Sequence, residues 1–122
     1  MKLIEQAKAG APLEVCAYLA AGDGIVSAHY SLTNIDASAD HFSMDPAEQF
    51  ATVRSIRGAG LTLAAVAHSH PASPARLSEE DIRLAADPSV SYVIVSLAGG
   101  SVSIKSFRIL AGSVTEEHVD IV

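Results

Sequence analysis

Two short apolar runs, LTLAAVA at 61–67 and VSYVIVSL at 90–97, constrain the fold more than any other feature of this chain. Each has the length and composition of a strand buried on both faces. Between them Ser78 opens a helical stretch that runs to about Ala86, where Asp87-Pro88 stops it. Strand, helix and strand in this order predict a right-handed crossover between two strands of one sheet. The expected fold class is therefore α/β, a mixed β-sheet flanked by helices.

The other segments fit around that unit. KLIEQAKA, 2–9, reads as a helix stopped by Gly10, and GIVSAHYSL, 24–32, as a strand. LEVCAYLAA, 13–21, is helix or strand by pattern alone. Asp45-Pro46-Ala47-Glu48 is a strong helix start, with Asp45 as N-cap, Pro46 in the first turn and Glu48 completing a capping box. Phe50, Val53 and Ile56 would then face the core, and Gly58 and Gly60 would end the helix. Gly99-Gly100 predicts a hairpin turn into a strand at 102–110, and 114–122 reads as a last edge strand.

With 122 residues, 49% of them apolar and no repeat, the whole of 1–122 is expected to be one domain. A net charge of −6 with scattered basic residues excludes a nucleic-acid footprint. A single cysteine, Cys16, allows no internal disulfide and reads as a small core residue. No apolar run reaches the roughly 18 residues needed to span a bilayer, and MKLIEQAKAG lacks a signal-peptide core, so the expectation is a soluble cytoplasmic protein without a membrane partner.

The run 61–67 leads straight into HSHPASPARLSEED, 68–81. If the chain is extended there, His68 and His70 project on one face of the strand, and Asp81 lies one turn into the following helix. Two histidines and a carboxylate match the open three-ligand pattern of catalytic zinc, whereas closed structural sites usually employ several cysteines. Hydrolysis at such a centre needs a carboxylate that moves protons without being a ligand. Glu79 and Glu80 point round the helix and Glu48 is accounted for by its cap. Glu14 stands out as the only charge between Lys8 and Asp23. Plainer readings exist for every part. Ser78-Glu79-Glu80-Asp81 is also a capping box, a lone His-x-His is often structural, and Glu14 by itself suits a solvated charge. His29, His41 and His118 read as surface or locally satisfied histidines.

Taken together, His68-Ser69-His70, seven residues, Ser78, two residues and Asp81 resemble the zinc signature of the JAMM (MPN+) metallopeptidases. The upstream segment PLEVCAYLA, 12–20, supplies the glutamate which that family places there, and SPARLSEED and FSMDPAEQ, 42–49, preceded by Asn34, look like its short bacterial members. The resemblance spans about Pro12 to Leu97. It implies that His68, His70 and Asp81 hold one Zn2+, that Glu14 is the general acid/base and that Ser78 stabilises the tetrahedral oxyanion. It also implies a fold similar in outline to cytidine deaminases, although the P-C-x-x-C of those enzymes is absent. Ala17 stands where relatives often have glycine, and Leu77 where they often have proline.

The short bacterial members act on ubiquitin-like sulfur-carrier proteins. The resemblance therefore implies a zinc peptidase or isopeptidase that hydrolyses the bond after the C-terminal diglycine of such a carrier. A non-catalytic protein-binding module and a small-molecule zinc amidohydrolase are the competing readings. Homodimerisation stays open.

Overall fold

The stretch that pattern leaves between helix and strand is a strand. β1 spans Cys16–Gly22 and turns back through Asp23 and Gly24, at φ 55° and 79°, into β2, Ile25–Leu32. Gly22 pairs with Ile25, so this is a two-residue hairpin whose central positions both need positive φ, which an Asp-Gly pair supplies. The structure, a computed structural model, describes residues 2–120. The remaining elements are α1 (Lys2–Gly10), α2 (Pro46–Gly58), β3 (Thr62–His70), α3 (Glu79–Leu84), β4 (Ser91–Ser96), β5 (Ser103–Leu110) and β6 (Ser113–Glu117). A 3-10 turn at Ala98–Gly100 lies between β4 and β5.

The six strands form one sheet in the order β2-β1-β3-β4-β5-β6. β3 and β4 run parallel, as the crossover through α3 requires, and the other pairs are antiparallel, so the sheet is mixed as expected. Strand alternation divides the buried residues between its two faces. Leu3 and Ala7 of α1 pack on Ala17, Leu19, Ala65, Ala67, Val93 and Val95. Ile56 of α2 packs on Cys16, Tyr18, Ala20 and Leu32 across the other face. Ala20 pairs with Leu63 while Leu19 pairs with Ala65, which leaves Ala64 as an extra, unpaired residue on β3.

Four expectations need correction. Phe50 is 65% exposed, with the Arg54 guanidinium over its ring at 5.9 Å. At 100° per residue Gln49, Val53 and Ile56 fall within about 60° of one another, whereas Phe50 lies about 120° from Ile56. The polar Gln49 takes the inner position instead, donating from Nε2 to the Tyr18 hydroxyl at 2.9 Å. Glu48 does not complete a capping box. Asp45 accepts from the Glu48 backbone N–H, but the Glu48 carboxylate turns away to Thr33. α3 stops at Leu84, two residues early, because Ala85 is already extended at ψ 98° and the Tyr92 hydroxyl ties down the backbone of Asp87. β6 ends at Glu117, whose carboxylate accepts from Ser91, Ser106 and Arg108. The expected continuation to 121–122 lies outside the described residues.

Candidate metal and catalytic centre

β3 ends in the residues that matter. Val66, His68 and His70 share the α2 face of the sheet, since alternate residues of a strand point the same way. His68 and His70 are 3% and 6% exposed. Their Nε2 atoms lie 3.1 Å apart, and Asp81 Oδ2 lies 3.3 Å from the first and 3.4 Å from the second. The three atoms thus form a nearly equilateral triangle. Donors about 2.0–2.1 Å from one ion at tetrahedral angles would stand about 3.3 Å apart, so the set fits a tetrahedral ion with one corner left open. Among the described residues no further His, Cys, Asp or Glu joins this group.

Each donor is aimed by a second contact. The Pro74 carbonyl lies 2.9 Å from His70 Nδ1, which must therefore carry a proton, so in the neutral ring the lone pair a metal needs is on Nε2. Phe42 stacks on the His68 ring at 4.7 Å between centroids. Asp81 Oδ2 accepts from the Ser78 N–H at 2.9 Å, and Ser78 Oγ accepts from the Asp81 N–H at 3.0 Å. The capping box is real, and it is also what holds the carboxylate against the two imidazoles. Because Ser78 Oγ acts as an acceptor in the cap, its own O–H remains free to donate. Burial disfavours the Asp81 carboxylate, yet hydrogen bonds from His68 and His70 hold it far below the usual carboxylate range. Burial likewise opposes protonation of His70, but the hydrogen bonds to Asp81 and Pro74 and the charges of Glu14 and Asp81 together outweigh it and raise the imidazole above its ordinary value.

Glu14 arrives from β1. Cys16 pairs with His68, so two residues further along the antiparallel register Glu14 stands opposite His70 and on its face. Ser69, the residue between the histidines, points to the other face and fixes this junction. Its N–H donates to the Val15 carbonyl at 3.0 Å, and its Oγ accepts from the Val15 N–H at 2.9 Å. Glu14 is 5% exposed, and burial pushes its carboxyl up to about 7, with nearby Asp81 and Asp40 adding to the rise and His70 opposing it. Its metal-free folded value lies above the 4.5 of an ordinary glutamate, so the stability linked to the group is present below pH 4.5 and lost as pH rises through 7. The gap corresponds to about 3 kcal/mol at pH 8. Metal-free Glu14→Gln is therefore expected to melt about 5–10 °C above the metal-free wild type at pH 8, with most of that difference gone by pH 5. Equal melting temperatures at both pH values would show that Glu14 is not desolvated.

The other candidates stay apart from the centre. Burial pushes the Cys16 thiol up to about 12, which excludes thiolate chemistry at neutral pH. His29 lies 2.7 Å from Gln6 Oε1, His41 pairs with Asp36 and His118 with Asp120. Glu79 and Glu80 are exposed on α3. Ala17 is fully buried in the α1 face, and Leu77 packs against Ala75, Ile94 and Phe107. A cleft of about 390 Å³ opens beside His68 and Asp81, walled by Tyr18, Met44, Val66, Leu77, Leu84 and Tyr92. Sequence reasoning did not find Ser69, Pro74 or Phe42. Only Ser69 carried a signal, since a residue between two same-face histidines must meet the neighbouring layer.

The fold is shared with known proteins. A profile of prokaryotic homologues of the JAB domain matches residues 1–110, and the chain belongs to that family. The CysO-cysteine peptidase of Mycobacterium tuberculosis (strain ATCC 25618 / H37Rv) is 32% identical over 123 residues, covering 98% of this chain and 84% of that protein. A protein of Desulfitobacterium hafniense, solved in solution, is 44% identical and superposes with a TM-score of 0.82, over 95% of this chain and 86% of that one. A JAB1/MPN domain protein from Archaeoglobus fulgidus shares the fold, with a TM-score of 0.67 at 22% identity over 99% and 89% of the two chains. Among the described residues no helix is long and apolar enough to cross a membrane.

Proposed function

We propose that this protein is a zinc-dependent peptidase that hydrolyses the bond after the C-terminal diglycine of a ubiquitin-like sulfur-carrier protein. The observation that carries the reading is the triangle of His68 Nε2, His70 Nε2 and Asp81 Oδ2, with the buried carboxyl of Glu14 one strand away. These three residues would hold the ion. Bound zinc supplies a Lewis acid that lowers the pKa of a water to about 7. Glu14 takes a proton from the attacking water and later gives it to the leaving amine. Its burial suits both halves of that task, because a carboxyl lifted towards neutrality both accepts and releases a proton readily. A cation close by lowers its value again, so the working carboxylate is charged at the start of the cycle. Ser78 donates its free O–H to the oxyanion that develops on the scissile carbonyl.

The relative named for a CysO-cysteine substrate supports a single cysteine as the residue released. In this reading a diglycine tail, lacking side chains, enters the cleft that Phe42 and Leu77 line beside His68 and Asp81. The test is incubation of the zinc-loaded protein with a ubiquitin-like sulfur carrier ending in Gly-Gly-Cys. Mass spectrometry is expected to show the loss of one cysteine residue, and the loss is expected to cease with a chelator. An unchanged carrier mass, with zinc bound, would overturn the substrate assignment.

A further inference from the structure

Glu14 lies outside the strand that brings it to the centre, since β1 begins two residues later at Cys16. Among the described residues no side chain or backbone group hydrogen-bonds its carboxylate, whose oxygens still reach solvent, so its aim depends on the backbone. That backbone is gripped by the 33–44 loop. The Glu14 N–H donates to the Ser38 carbonyl at 2.8 Å, and the Glu14 carbonyl accepts from Asn34 Nδ2 at 3.0 Å. The same amide nitrogen donates to the His41 carbonyl at 3.0 Å, while Asn34 Oδ1 accepts from the Asp36 and Ser43 N–H groups at 3.1 and 3.2 Å. Two donors meet two carbonyls and the acceptor meets two N–H groups, so the side chain is saturated and its orientation is unambiguous. Behind it, the Thr33 N–H and hydroxyl donate to the Glu48 carboxylate at 2.7 and 3.1 Å, which fastens the loop to α2.

We propose that Asn34 is a positioning residue for Glu14, joining the start of the 33–44 loop to the glutamate backbone and so fixing where its carboxylate sits. The inference rests on the reading of Glu14 as the proton carrier given above. Proton transfer needs heavy atoms about 2.6–3.2 Å apart, and a misplacement of about 1 Å can cost on the order of 10²-fold in rate. Ser69 already fixes Val15, so Asn34 controls one residue, the one that acts.

Asn34→Asp tests this. The substitution keeps the shape and both acceptor bonds, removes both donors and sets a carboxylate against the Glu14 carbonyl. With the Gly-Gly-Cys carrier as probe, kcat is expected to fall about 10- to 100-fold with KM and zinc content within about twofold of wild type. In a Glu14→Gln background the same change is expected to add less than about twofold, because nothing is left to position. A readout free of turnover is amide exchange, where the Glu14 N–H is expected to exchange at least about tenfold faster in Asn34→Asp while the Ala17 N–H in β1 keeps its rate. An unchanged kcat, a rise in KM alone, an equal further loss in the Glu14→Gln background or unchanged Glu14 exchange would each overturn the inference. If Asn34→Asp does not fold, the half-buried Glu48→Ala releases the same loop from α2, and its kcat must fall a few-fold in the wild-type background only. A Glu14→Gln variant as fast as wild type would instead sink the proton-carrier reading, and amide exchange would still decide the clamp.

Discussion

Glu14→Gln is expected to slow hydrolysis of the Gly-Gly-Cys carrier by about 10²- to 10⁴-fold and to leave one zinc per chain in place, the usual size of a lost general acid/base. Glutamine has the same shape and no proton to exchange at neutral pH. The change touches none of the three donor atoms, because Glu14 lies outside the group formed by His68, His70 and Asp81. Its backbone contacts to Ser38 and Asn34 do not depend on the side chain, so the amide sits where the carboxylate sat. Single-turnover rates together with elemental analysis separate the two effects. A variant that cleaves as fast as the wild type would require a different proton carrier, and the other nearby carboxylates, Asp40, Glu79 and Glu80, are exposed.

His68→Ala is expected to lose both metal and turnover. It removes one corner of a three-donor set, and alanine supplies no substitute atom. Loss of a group that merely orients a ligand costs about 10- to 100-fold in metal affinity, so loss of a ligand exceeds that range. Elemental analysis of the purified variant is expected to find almost no zinc, against about one ion per chain for the wild type. Zinc content equal to wild type would remove His68 from the ligand set. The variant also loses the Phe42 stack at 4.7 Å and opens a small void beside Val66, a destabilisation of about 1–2 kcal/mol that leaves the sheet intact.

The parts of this site that were legible in the sequence are those whose side chains act directly. His68 and His70 announce a shared face through the period of a strand, and Glu14 announces itself as a lone charge in an apolar stretch. Asp81 was legible twice over, since a cap and a donor call for the same carboxylate at the same place. What stayed hidden works through backbone atoms or long-range contacts. Pro74 contributes a carbonyl, which every residue has, and Ser69 matters through the carbonyl and N–H of Val15. Glu48 fits a local rule for helix starts, yet a distant partner, Thr33, takes its carboxylate. Phe50 shows the opposite error. Apolarity marks it for the interior, but the geometry of α2 gives that place to Gln49, for which the Tyr18 hydroxyl is waiting. The fold class and the order of its elements followed from pattern, whereas helix and strand ends shifted by a few residues wherever a tyrosine or an ion pair tied down the chain.

The unpaired Ala64 on β3 has a consequence for how this chain can change length. On the far side of it Leu63 faces α2, and on the near side Val66, His68 and His70 do. One supernumerary residue is therefore one that the alternation does not count. Deleting it would set Leu63 next to Ala65 in regular alternation and leave both imidazoles facing α2, whereas one residue inserted between Ala65 and His68, with the far end keeping its pairing, would turn them towards α1 and bring Ser69 to the face they now occupy. The ladder would be largely kept in both cases, and only the insertion would erase the candidate metal site. Loss of a single residue at Ala64 is thus absorbed, whereas gain of one in the few residues that follow separates a hydrolase from an inert sheet.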